Sequence, residues 1–159
     1  MALSNFERMI QLADDVFAVK SDPDQLDVDQ EVMERLRRMH PATVSKQDDG
    51  NGPVAWVLLI PTTLELMNRF LNQEISEKEL FNLTPEDSVY DALYLCSALV
   101  LEEYRRKGIA TKLSLNAIEQ ISRDHPLKAL FVWAFSKEGD LGAETIARLS
   151  SLPLYKRIK

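Results

Sequence analysis

The chain has 159 residues, 45% hydrophobic and 28% charged, with five glycines and a formal net charge of −6, which suits one compact domain over residues 1–159 and excludes a disordered or low-complexity chain. The acidic balance argues against non-specific nucleic-acid binding, and a single cysteine excludes an intramolecular disulfide. The longest apolar run, Val54 to Ile60, is too short to cross a membrane, and the N-terminus lacks a signal-peptide pattern, so a cytoplasmic protein is expected.

Ser4-x-x-Glu7 is a capping box, and Phe6, Ile10, Ala13 and Phe17 share one helical face, predicting a first helix that ends near Lys20. Ser21 to Asp24 reads as a break. Val28, Val32, Leu36 and Met39 predict a second helix that stops before Pro41. Thr43 to Lys46 and Val54 to Ile60 flank a Gly- and Asp-rich stretch and read as a β-hairpin. Thr62-x-x-Glu65 is expected to cap a third helix with Leu64, Met67, Phe70 and Leu71 inside, and Ser76-x-x-Glu79 a short fourth ending near Leu83. An apolar strand from Val89 to Leu101 then leads to a helix from Lys107 or Gly108 to about Arg123, followed by a strand from Ala129 to Phe135. Strand, helix and strand at this spacing form a βαβ unit with parallel strands. A last helix over Glu138 to Leu149, with glycines near its start, precedes an edge strand at Leu154 to Ile158. The fold class is mixed α/β, or α+β.

The most chemistry lies in Val100-Leu-Glu-Glu-Tyr-Arg-Arg-Lys-Gly-Ile-Ala110. An apolar strand aims a turn, Gly108 lets backbone approach a ligand, and the new helix presents free N–H groups at its positive end. Arg105, Arg106 and Lys107, joined by Lys112 a turn later, add full charges there. Such a turn suits a pyrophosphate.

Arg105-x-x-Gly108-x-Ala110, following Val100-x-x-x-Tyr104, resembles the acetyl-coenzyme-A signature of the GNAT superfamily of N-acetyltransferases. The resemblance runs from about residue 43 onward. It implies a mainly antiparallel central sheet with a parallel βαβ core and flanking helices, in which the fourth and fifth strands splay apart to admit the pantetheine arm of coenzyme A. It also implies that pyrophosphate sits on backbone N–H groups from Arg105 through Arg106, Lys107, Gly108, Ile109 and Ala110 to Thr111, while backbone near Leu99 and Val100 holds the arm. Residues 43–159 would then be the sheet and acyl-coenzyme-A core, and the helices of 1–40 an acceptor-binding lid. Family members with a glutamate base carry it on the fourth strand, where this chain has Tyr94, Leu95 and Cys96. Others carry a tyrosine in the helix after the fifth strand, where this chain has Ser150, with Tyr155 five residues on; the family's asparagine after that strand and its Gly-Phe are missing. Tyr94, Ser150 and Tyr155 are therefore the catalytic candidates, and the acid–base pair is not evident.

Blander roles fit the other polar residues. Cys96, in an apolar strand, reads as a small core residue, and Asp91 should face away from Tyr94. His40 and His125 read as exposed or helix-capping residues, and with one cysteine they give no metal-ligand spacing. Trp56 and Trp133 are expected in the core or at a cleft wall. Asp14, Asp15, Asp22, Asp24, Asp27 and Asp29 read as a solvated face or as an attractor for a cationic amine. Three functions remain open: transfer of acetyl from acetyl-CoA to a primary amine of a small molecule or peptide, a non-catalytic acyl-CoA-binding sensor or scaffold, and an interaction protein that binds no coenzyme A. The acceptor and the oligomeric state, a homodimer included, carry no readable code.

Overall fold

The computed structural model describes residues 3–19, 26, 29–134 and 136–158, without the side chains of 16–19. Its elements are α1 (Asn5–Val19), α2 (Gln30–Met39), β1 (Val44–Asp48), β2 (Pro53–Thr62), α3 (Leu64–Leu71), α4 (Glu77–Leu83), β3 (Ala92–Val100), α5 (Ile109–Asp124), β4 (Ala129–Val132), α6 (Lys137–Ser150) and β5 (Leu154–Lys156). The sheet runs in sequence order from β1 to β5. The β1–β2 and β2–β3 joints are antiparallel and long; β3–β4 and β4–β5 are parallel and short. The βαβ unit is β3–α5–β4, as its spacing predicts. The strand that the resemblance counts as fourth is the third among the described residues.

Period-two alternation in β2 distributes the core between two helical layers. Leu58 and Ile60 pack with Leu36, Met67, Phe70 and Leu80 under α2, α3 and α4. Val57 and Leu59 pack with Ala117, Ile118, Ile121 and Ile146 under α5 and α6. A third cluster, Met9 with Val54, Leu99 and Leu101, seats α1 on the ends of β2 and β3.

Several details differ from the sequence reading. The buried stripe of α1 is Met9 with Leu12 and Ala13, whereas Phe6 and Ile10 are exposed; Phe6 lies edge-on against a half-buried Trp56. The helix is rotated because the groove it fills is defined by Val54 and Leu99, not by its own strongest apolar spacing. Thr63, not Thr62, caps α3 through its hydroxyl, while Thr62 closes β2 and hydrogen-bonds the Thr84 hydroxyl. β3 starts at Ala92: Val89 is exposed, and Asp91 lies outside the strand, accepting the Leu64 N–H at the start of α3. His40 is buried, not exposed, and caps a 3-10 turn, with Nδ1 accepting from the Ala42 N–H and Nε2 2.6 Å from Asp124. Asp29 is the N-cap of α2. The break at 21–24 and residues Val28, Asp22, Asp24, Asp27 and Phe135 lie outside the described residues, as does the Phe17 side chain.

Candidate active site

β3 and β4 form a fork. Among the described residues they pair only at Ala92–Ala129, Leu93–Leu130 and Tyr94–Phe131. The cause is a bulge: Leu59 of β2 faces Leu95 and Leu58 faces Ser97, leaving Cys96 as an extra residue in β3. A bulge bends its strand and increases the local twist. It also shifts side-chain parity. Tyr94 points to the α2–α4 layer, and beyond the bulge Leu99 and Leu101 point the same way despite their odd numbers. Among the described residues the edge from Leu95 to Val100 towards β4 has no partner strand over about 16 Å. An unpaired backbone edge is the natural partner for an extended ligand that carries its own amides.

A cleft of about 630 Å³ follows this edge. Val57, Leu59 and Leu95 give it an apolar floor; Ala110 and Ser114 of α5 face Gly142 and Ala143 of α6 across it. Cys96 and Trp133 lie near the crotch of the fork, and Leu12 and Asp15 of α1 reach it from the other layer. Trp133 is thus both buried and part of the cleft wall. Cys96 is half-buried: it packs on the core as expected and also lines the cleft.

The outer end of the cleft is the turn after β3. The chain passes through a 3-10 turn at Glu102–Tyr104, takes left-handed backbone at Arg106 (φ 64°) and again at Gly108 (φ 74°), and enters α5. Gly108 provides no side-chain cap. By contrast Ser4, Asp29, Thr63, Ser76 and Ser136 each bond a first-turn N–H of α1, α2, α3, α4 and α6. The first-turn donors of α5 therefore face outward at the positive end of a 16-residue helix. Arg105, Arg106, Lys107 and Lys112 are exposed around them, with no carboxylate partner among the described residues. The Arg105 Nε donates to the Val100 carbonyl at 3.0 Å, turning its guanidinium over the strand end.

A polar clasp fixes this turn. Arg8 of α1 grips Glu103 through two bonds of 2.6 and 2.5 Å, and Tyr104 donates its hydroxyl to Asp49 in the β1–β2 loop. The Arg8 guanidinium holds the Glu103 carboxyl down at about 2, and the Tyr104 hydroxyl lowers Asp49. The next three cations, Arg105, Arg106 and Lys107, stay exposed to solvent.

Of the residues proposed for the cofactor, Leu99, Val100, Arg105, Ala110 and Thr111 line the cleft, while Arg106, Lys107, Gly108 and Ile109 form the turn at its mouth. The Leu99 side chain is buried towards α1, so only its backbone faces the fork. The three catalytic candidates are not brought to the cleft. Tyr94 is 1% exposed in the α2–α4 layer, stacked on Phe131, with its hydroxyl donated to Glu77. Burial, then the Glu77 charge, pushes that phenol far up, so it stays protonated. Ser150 bonds the Ala147 carbonyl at the end of α6, and Tyr155 is exposed on the edge strand. Sequence reasoning missed the Cys96 bulge and Ser114. Ser114 had a signal, a hydroxyl among Ala117, Ile118 and Ile121 on the buried face of α5.

An uncapped, cation-ringed helix start leading into an open strand edge fits a diphosphate-bearing thioester with an amide-containing arm. The model of the acetyltransferase (GNAT) family matches residues 6–144, and the chain belongs to that family. GNAT proteins are generally acyltransferases that bind acetyl-CoA. No curated protein matches the chain in sequence.

Proposed function

We propose that the chain transfers an acyl group, acetyl in the simplest case, from its coenzyme A thioester to a primary amine of a small molecule or peptide. The observation that carries this reading is the continuity of the open β3 edge with the uncapped N-terminus of α5. Backbone N–H groups of Ile109, Ala110 and Thr111, with Arg105, Arg106 and Lys107, hold the diphosphate. Backbone groups of Leu95 to Val100 hold the arm and orient the acyl end towards Cys96 and Trp133. Coenzyme A supplies an activated acyl carbon and a good leaving thiolate. The chain must keep the amine unprotonated and in line with that carbon. Among the described residues Asp15 and Glu138 are the carboxylates lining the cleft, and we assign them to take the ammonium proton. As the C–N bond forms and the C–S bond breaks, one proton leaves nitrogen and one returns to sulfur. Leu12 and Asp15 of α1 line the acceptor side.

The positions of Tyr94, Ser150 and Tyr155 outside the cleft favour a second reading, a non-catalytic acyl-CoA sensor or scaffold. Thiol release from acetyl-CoA against a panel of primary amines separates the two. Amine-dependent release supports the transferase. Saturable binding of acetyl-CoA with no release above the buffer rate supports the sensor.

A further inference from the structure

Two histidines meet at the far end of α5 from the cation-ringed turn, about 24 Å along a 16-residue helix. Their ring centroids stand 6.0 Å apart, edge to face. His40 ends α2 and caps the 3-10 turn that follows it, and His125 is the C-cap of α5. Tyr90, in the segment before β3, lays its buried ring 4.7 Å from that of His125. The cluster joins the ends of α2 and α5 to the start of β3.

The hydrogen bonds fix where each ring carries its proton. A backbone N–H can only donate, so the ring nitrogen that faces it is unprotonated. The Ala42 N–H donates to Nδ1 of His40 at 3.0 Å, and the Tyr90 N–H donates to Nδ1 of His125 at 3.3 Å. Each ring therefore holds its proton on Nε2, and His40 donates that proton to Asp124 over 2.6 Å. A second proton on either ring must enter at Nδ1. There it sets N–H against N–H and leaves a part-buried backbone donor without its acceptor.

The surroundings of His125 act in the same direction. Burial first, then the neighbouring His40, hold its imidazole below the ordinary range, against the pull of Asp124. The other charges nearby turn outward or elsewhere. Arg37 and Lys128 are exposed, Arg38 pairs with Glu86, and Arg123 pairs with Glu119. Arg35, Glu86 and Asp87 bear on the Tyr90 hydroxyl instead.

We propose that His40, Asp124, His125 and the Tyr90 amide form a pH-sensitive clasp, in which a proton taken up at Nδ1 of His125 expels the Tyr90 N–H and parts the end of α5 from the start of β3. His40, tied to Asp124 and Ala42, is the fixed side of the clasp. Nothing in it depends on what the cleft binds. A histidine held below its unfolded value leaves the fold at full strength above about 6.5 and weakens it as pH falls below that.

Urea unfolding at about pH 7.5 and about pH 5.5, either side of the ordinary imidazole value, tests this with the unsubstituted protein and His125→Asn. An asparagine oxygen accepts the Tyr90 N–H and takes up no proton in this range. Between the two conditions the unfolding constant of the unsubstituted protein should rise more than that of the variant, by up to about tenfold, the ceiling for one imidazole. Over the same step, hydrogen exchange corrected for its intrinsic rate should show the Tyr90 amide losing more protection than that of Leu59 in β2. Equal rises in the two proteins overturn the proposal, as does Tyr90 protection that falls only in step with Leu59. Should His125→Asn not fold, the imidazole nitrogen shifts of the unsubstituted protein decide. They should show Nδ1 of His125 unprotonated at the higher pH, and an Nδ1–H tautomer there overturns the clasp.

Discussion

Replacing Gly108 with valine tests the turn with little collateral damage to the fold. Gly108 sits at φ 74°, where a residue with a Cβ costs about 1–2 kcal/mol. No steric term adds to this, because a Cβ at Gly108 would meet no atom within 4 Å; at Gly52, by contrast, it would stand 3.2 Å from the Asn5 Cβ. For a chain of this length 1 kcal/mol corresponds to about 2–4 °C, so the variant should unfold about 2–8 °C lower and still cooperatively. Coenzyme A at one hundred times its Kd should stabilise the unsubstituted protein by about 2.7 kcal/mol, or about 5–11 °C. In Gly108→Val the valine relaxes the left-handed backbone that aims the α5 donors outward and adds bulk where phosphate must approach. That ligand-induced shift should therefore disappear. Thermal unfolding of both proteins with and without coenzyme A, followed by circular dichroism, makes the measurement. A valine variant that keeps the full ligand shift would refute the assignment of diphosphate to this turn.

Two further outcomes follow from the surroundings of the site. Tyr94→Phe removes one of the donors to the buried Glu77 carboxylate and should cost about 1–3 kcal/mol in denaturant unfolding. Turnover per folded molecule should be unchanged; a large drop in kcat would return Tyr94 to the catalytic machinery. The Arg8–Glu103 clasp should respond to acid. Glu103 is held at about 2 against an unfolded value near 4.3. A depressed carboxyl stabilises the fold above its unfolded pKa and loses that contribution as pH falls from about 4.5 to about 2. The pair is exposed, so the effect is small and screened by salt. The stability gap between the unsubstituted protein and Arg8→Ala should close over that window, and a gap independent of pH would remove the clasp from the account.

The parts of the fold governed by local chemistry were legible in the sequence. The Ser4 cap, the capping box at Ser76, the stop before Pro41 and the hairpin around 49–52 each depend on residues within a few positions of one another. The Arg105–Ala110 turn was legible for the same reason: its positive φ at Gly108 and its cations sit in one short run. Tertiary registration was not. The rotation of α1 onto Met9, and the passage of capping from Thr62 to Thr63, depend on what the partner surface offers. The Cys96 bulge has no glycine to mark it, yet it creates the fork and reverses which residues of β3 face the cleft. The three catalytic candidates lie away from this fork. Tyr94 precedes the bulge and points into the core, and Ser150 and Tyr155 lie at the far end of α6 and beyond it.

Amide chemical shifts of the protein titrated with coenzyme A test the central claim most directly. The N–H signals of Ile109, Ala110 and Thr111, and of residues along the open edge from Leu95 to Val100, should move together and saturate with one affinity, while those of β1 and α4 stay still. Amides of the turn and the fork that remain unmoved at millimolar coenzyme A would contradict it.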